Sequence, residues 1–518
     1  MALNYTSEKL ALDNAERFKD SFSETDPSIQ YVFIGNHTPY SNESSAPNIV
    51  ETVSSEKTVW DNMFAAKRVT ANDVELVIPR VNWTANTKYR QYDDTITLSD
   101  LISGNTSQNL KPFYIITSDR NVYKCLSNNF SANSTVEPTG DYSTSQGAIS
   151  TADGYIWKYM FNVKSSNKFL NANWVPTPTR SAAASTLTDY NLNDSGVVEG
   201  ELTTVVLSSG GSGYFDTSIA VTPFATGCTV LTVANTSNIK ANMSVSGTGI
   251  PTGSIISSLD SPNNKITISS ATTSNGGGSG ANLSISTRVY FDGDGTGATG
   301  TATLANGSIS KITLTTIGTG YTRSNVFIFG SGTGANARTI IAPKYGHAKN
   351  PAKDLLAKNV MVSSQIGQVD SSENGLISVT TSFRQYGLFR NPHKYGQSAR
   401  ANNSTANSVI SQARTLTITP GPSYTLNEYV YQGSANNASA YGYVYSQTAT
   451  AVKVTQVTGT FTVGLSLIGL TSGVSRTVVA QSNPEFEPYS GDILYVENEQ
   501  KTDRQDGQAE NIKFVIQF

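Results

Sequence analysis

Apolar residues along this chain recur mostly with a period of two, and only three short stretches carry the period of a helix. Residues 7–22 place Ala11, Ala15, Phe18 and Phe22 at near-helical spacing behind Ser7, a residue type suited to capping. In residues 56–67, Val59, Met63 and Ala66 share one face with Trp60 beside them, and Pro79 ends any longer helix. A third candidate covers 351–358. Elsewhere, strand-like pieces alternate with polar loops: TITL at 95–98, FYIIT at 113–117, VYKCL at 122–126 and YIWKYMFNV at 155–163. In the last of these, Tyr155, Trp157, Tyr159 and Phe161 fall on one face, the pattern of a packed sheet interior. The final segment puts Ile512, Phe514, Ile516 and Phe518 in phase, which predicts a terminal strand.

Two stretches differ in character from the rest. From about residue 200 to about 340 glycine becomes frequent and charge nearly disappears. Within that stretch VVLSSGGSGY (205–214) resembles ITLTTIGTGY (312–321), so two related β-units are expected to flank a small β-module running from Cys228 to about Ser286. From about 403 to 483, strands expected near 428–432, 440–445, 451–456 and 465–468 suggest a small β-barrel-like unit. The expected organisation is therefore a mainly β protein: a layered β-sandwich core with a few short helices, interrupted by two inserted β-domains. Its segments are 1–197 (core), 198–342 (insertion), 343–402 (core), 403–483 (insertion) and 484–518 (core).

Composition narrows the functional classes. Of 518 residues only 14% are charged, and the formal net charge is −3. Such a surface has no broad attraction for phosphate backbones or anionic lipid, so neither nucleic acid nor membrane is an expected partner. No apolar run approaches the roughly 20 residues a membrane helix needs. Residues 1–22 also lack the apolar segment of a signal peptide, so synthesis and assembly in a cytoplasm are expected. Cys125 and Cys228 stand far apart without a CxxC, which supports neither a disulfide framework nor a zinc site.

Candidate chemistry is sparse. His37, His347 and His393 each stand alone, with no metal-ligand or triad spacing around them. Gly295, Gly297 and Gly300 form a G-x-G-x-x-G, but the β-prone Thr301, Thr303 and Leu304 follow where a dinucleotide fold needs a helix. Asp292 and Asp294 suggest a calcium loop without its remaining ligands, and a solvated turn accounts for them. No catalytic residue, cofactor or metal is assigned.

Several segments, taken in order, carry a resemblance. They are FIGNHTPYSNE at 33–43; Trp60 with Met63; Val77, Ile78, Pro79 and Arg80 with Trp83, followed by Tyr89, Tyr92 and Asp93; and VYKCL at 122–126. Next come Asp153, Gly154, Tyr155, Ile156, Trp157, Tyr159 and Phe161; Phe383, Arg384 and Gln385 with Asn391 and Pro392; and 491–498 with Tyr495, Glu497 and Asn498, before the ending at 510–518. In this order the chain resembles the baseplate wedge protein of T-even-type contractile-tailed phages, the eighth gene product family. It departs from that pattern in its length, the excess falling in the two insertions.

The resemblance implies a structural subunit of the virion tail baseplate, a homodimer in each wedge that joins neighbouring wedge proteins and uses no cofactor. The motif residues would then be structural. Two other functions compete with it: an adhesin whose insertions recognise a host-surface glycan, and a tail polysaccharide depolymerase.

Overall fold

A computed structural model describes residues 7–24, 28–104, 109–140, 148–179, 190–192, 197–367, 381–400, 409–505, 507 and 509–518. It is mainly β, with 48% of residues in strands and 9% helical, and its sheets are overwhelmingly antiparallel. The chain divides into two compact units, Met1–Val77 with Lys358–Phe518, and Ile78–Ala357. No helix among the described residues is long and apolar enough to cross a membrane.

The first unit is a layered sandwich. Its larger sheet has the order Val409–Ser411, Met63–Val69, Gln30–Gly35, Ser382–Arg390, Asp492–Asp503. The central strand Gln30–Gly35 is buried on both faces, which is why it reads as a continuous apolar run. Tyr31 and Phe33 meet Trp60, Phe389 and Phe486 on one side. On the other side Val32 and Ile34 face Ile366 and Ile512 of a second sheet, in which Asn359–Ile366 pairs with Glu510–Gln517 and with residues 74–77. Helix Glu8–Asp20 begins at Ser7, whose hydroxyl accepts from Leu10 N at 3.2 Å. It docks against strand Asn359–Ile366 through buried Ala11 and Ala15.

The second expected helix is shorter and earlier than its periodicity suggested. Val53–Asn62 is helical, capped by Thr52, and at Met63 the backbone turns extended and continues directly as strand Met63–Val69. The run Met63-Phe64-Ala65-Ala66 is apolar at every position, so it satisfies either period. Pairing with Gln30–Gly35 buries both of its faces and decides the outcome. TITL likewise is no strand: Thr97 caps helix Leu98–Ser103, accepting from Asp100 N at 3.2 Å. The third candidate reduces to Pro351–Asp354.

Within the same unit, Arg414–Ile418, Ala451–Gly459, Asn437–Gln447, Tyr429–Ser434, Ser466–Gly469 and Ser475–Ser482 close into a six-stranded barrel around Leu416, Val430, Val444, Val452, Val454 and Leu467. The proposed start of this insertion, near residue 403, lies outside the described residues.

In the second unit the two Gly-x-Gly-Tyr copies occupy equivalent places. Strands Leu202–Ser212 and Ser308–Thr319 each lead into a turn of left-handed glycines, after which Tyr214 and Tyr321 are both buried. Between them, Thr217–Ala220, Asn282–Ser286 and Ser244–Ser246 form one small sheet, and Val230–Thr232, Lys265–Ile268 and Ile256–Asp260 another. These two sheets enclose their own core of Ile219, Leu231, Met243, Val245, Ile266 and Ile285.

Candidate functional site

The resemblance motifs of the second unit converge on one irregular loop, residues 128–136. Strand Ile156–Val163 is buried on both faces; Tyr155 and Trp157 stack at 5.3 Å and Tyr89 meets Trp157 edge-on at 5.7 Å. From the start of this strand, Asp153 reaches back over the loop. Its carboxylate accepts from Thr135 N at 2.7 Å, Val136 N at 3.0 Å, Ser134 Oγ at 3.2 Å and Tyr155 N at 3.2 Å. Burial alone would raise this carboxyl, but the bonds from Thr151, Thr135, Val136 and Tyr155 outweigh it and hold the pKa below the usual value. Tyr155 Oη donates to Ala132 O at 2.6 Å and Trp83 Nε1 donates to Ser134 Oγ at 3.1 Å. Gly154 has φ +83°, and a Cβ there would lie 2.6 Å from Asn129 Nδ2. Tyr159 and Phe161 continue the buried aromatic face, while Arg80 holds a separate loop by donating to Asn171 O at 2.9 Å. The Pro79 carbonyl accepts from Tyr114 Oη at 2.9 Å.

The motifs of the first unit converge on another irregular loop, residues 36–52. Arg384 is buried with its charge: Nε donates to both oxygens of Glu43 at 2.9 Å and Nη1 to His37 O at 2.7 Å. Its own carbonyl accepts from Tyr40 Oη at 2.9 Å. The Arg384 guanidinium draws the Glu43 carboxyl below its ordinary pKa. Asn498 Nδ2 donates to Pro47 O at 2.9 Å, and its Oδ1 accepts from Gln385 Nε2 at 2.7 Å. Glu497 accepts from Tyr386 Oη at 2.8 Å and from Tyr495 Oη. Asn391 Oδ1 accepts from Ile29 N at 3.0 Å, and Phe383 and Pro392 are buried. This loop leads to Val50 and Val53, which are largely exposed.

A cluster that sequence reading missed lies in the second unit. Lys124 is enclosed: its ammonium donates to Asp354 Oδ1 and, at 3.0 Å, to His347 Nδ1, and it stands 3.6 Å from the centre of the Tyr92 ring. With Nδ1 accepting, His347 carries its proton on Nε2, which reaches Thr203 Oγ1 at 2.8 Å. Asp354 Oδ2 accepts from Ala348 N at 2.9 Å. Glu201 and Lys158 are also buried in this environment. Burial, then the neighbouring Lys124 and Lys158, keep His347 neutral well below its usual pKa, and burial raises Glu201. Five residues distant in sequence give no motif. The legible signal was a lysine inside each of two otherwise apolar strand runs, VYKCL and IWKYM.

The remaining sequence candidates resolve into packing. Gly295 lies under the Tyr321 ring, where a Cβ would meet Cγ at 2.4 Å, and Gly300 faces Phe291, so the glycine motif accommodates aromatic rings. Asp294 accepts from Thr322 N at 2.9 Å and Arg323 N at 3.1 Å, closing a turn. His37 is buried against Thr455, and His393 N donates to Ser490 Oγ at 2.8 Å. Both cysteines are free thiols. Among the described residues no three His, Cys, Asp or Glu side chains group as metal ligands would. No protein-family model matches the chain, and no curated protein matches it either.

Proposed function

We propose that this chain is a structural subunit of a contractile-tail baseplate wedge, a homodimeric scaffold that joins neighbouring wedge proteins. The observation that supports this reading is the use made of the motif side chains. Asp153, Tyr155, Trp83, Arg384 and Asn498 spend their hydrogen bonds fixing the shapes of loops 128–136 and 36–52. Residues that carry chemistry need free donors, acceptors or lone pairs facing a substrate. Residues that present a contact surface need their loop held still, as these do.

On this reading the chain is not an enzyme. The sandwich keeps its packing when the tail contracts, while contacts made through the braced loops exchange, because close-packed cores resist graded deformation. The test is a reconstruction of intact tails in extended and contracted states. Two copies per wedge with an unchanged sandwich are expected; absence of the chain from the baseplate, or a repacked sandwich core, overturns the proposal.

A further inference from the structure

A cleft of about 510 Å³ in the second unit lies beside the braced loop 128–136. That volume is in the range of small-molecule sites, roughly 300–1,000 Å³. Its wall combines Arg90, Phe130, Ser150, Lys311 and Thr313, drawn both from the core segment and from the glycine-rich insertion.

Three features of that wall point to one class of ligand. First, Phe130 lines the cleft and is 67% exposed, so its ring face is open to a ligand. It is held out by Asn129, Phe130 and Ser131, three consecutive non-glycine residues with φ of 48°, 57° and 61°. Such a run persists only where its surroundings over-determine it. Here Asn129 Nδ2 is fixed to Asp153 O at 3.0 Å, Asn128 Oδ1 accepts from Ser131 N at 3.1 Å, and Asn128 Nδ2 donates to Tyr89 O at 3.1 Å.

Second, the cleft carries positive charge with no carboxylate left to match it among the described residues. Among the described residues Arg90 Nε is buried with no hydrogen-bond partner, and its guanidinium makes only a long bond, 3.5 Å from Nη2 to Gly104 O. Lys311 forms no ion pair among the described residues. The acidic residue of the wall, Asp93, is already bound by Arg338 and Thr95. Third, the Ser150 and Thr313 hydroxyls have no protein partner among the described residues.

We propose that this cleft binds an acidic saccharide. A sugar ring would stack its C–H face on Phe130, place its carboxylate between Arg90 and Lys311, and meet Ser150 and Thr313 with its hydroxyls. A simple inorganic anion would use the cations and leave the aromatic ring idle; a neutral sugar would do the reverse. The site needs both the core loop and the insertion, so an isolated insertion would not contain it. This binding is independent of the scaffold role, and its failure would leave that role untouched.

Titration calorimetry on the full chain tests the assignment, with tetragalacturonate, galacturonate, maltotetraose and sodium phosphate as probes. Saturable binding of tetragalacturonate is expected, with galacturonate weaker and maltotetraose and phosphate each at least about tenfold weaker. Phe130→Ala and Arg90→Gln should each weaken tetragalacturonate by about tenfold. Lys311→Gln, on an exposed strand position that does not endanger folding, should weaken it by several-fold and reduce its salt dependence. Lys265→Gln, on the separate small module, should bind like the parent. No saturable binding of either uronate, equal binding of maltotetraose, or parental affinity in a folded Lys311→Gln or Arg90→Gln variant overturns the proposal.

Discussion

Among single residues, the buried histidines and lysines tie stability to protonation and to charge pairing. Burial, and then the Arg384 charge, lower the His37 pKa from 6.5 to about 4. The unfolded chain therefore gains a proton as pH falls through about 6.5, while the folded chain resists until about 4. This contribution is complete above that window and is lost as pH drops through it, worth about 3 kcal/mol at most. His347 acts in the same direction. Urea midpoints at about pH 7 and about pH 5 should thus differ more in the parent than in His37→Gln, and equal differences would refute the assignment. In the Lys124 cluster, Asp354→Ala strands an enclosed ammonium and should cost about 3–5 kcal/mol. The double variant Lys124→Met with Asp354→Leu should lose much less than the two single changes added together. Additive losses in a urea-denaturation cycle would show that the pair is not coupled.

At the scale of elements, the Gly-x-Gly-Tyr repeat has a packing explanation, because each tyrosine ring lies on glycine backbone. Tyr214 covers Gly330 and Gly332, and Tyr321 covers Gly293 and Gly295. Tyr321→Ala should cost about 3–5 kcal/mol through the cavity it leaves. Gly295→Ala should cost about 1–3 kcal/mol through overpacking. At Gly295 the added methyl would meet both the Tyr321 ring at 2.4 Å and Thr319 O at 2.6 Å, so Gly295→Ala should cost less, but still destabilise, once Tyr321 is alanine; an undiminished loss would place the strain on the backbone alone. The same scale shows where periodicity misleads. Residues 63–66 are apolar throughout, so their spacing could not separate helix from strand, and the partner strand Gln30–Gly35 decided it. In TITL, Thr97 acts through its hydroxyl as a helix cap, a local bond that competes with strand formation.

For the whole molecule, the two closed modules differ in how they are attached. Module 217–286 enters and leaves by paired strands, Thr217 opposite Ile285, and has its own core. The barrel also enters and leaves by paired strands, Thr415 opposite Ser482, but shares a wall with the sandwich. Tyr445 stacks on Phe64 at 4.8 Å, Thr455 meets His37 and Gln456 Nε2 donates to Asn62 Oδ1 at 2.7 Å. Replacing 217–286 by a short Gly-Ser linker should therefore change the melting temperature by less than about 3 °C. Replacing 414–482 should lower it by more than about 10 °C or abolish folding, because Phe64 and His37 lose their cover. Equal tolerance of both deletions would contradict this difference in attachment.

By itself the sequence determined the features that periodicity and local bonding impose. The β class, the packed aromatic strand at 155–163, the capped first helix, the terminal strand and four of the six barrel strands were legible, because alternation, capping and turn chemistry act between near neighbours; Arg414–Ile418 and Ser475–Ser482, which close the barrel, were not. The motif positions were legible too, as patterns of Trp83, Asp153, Arg384 and Asn498, but not their work. Only the tertiary structure decided that they brace loops 128–136 and 36–52, that Lys124, Lys158, Glu201, His347 and Asp354 share one enclosure, and that Arg90 and Lys311 flank one cleft. Each of these pairings joins residues far apart in the chain. Their meeting depends on sheet order and strand register, which no local pattern encodes.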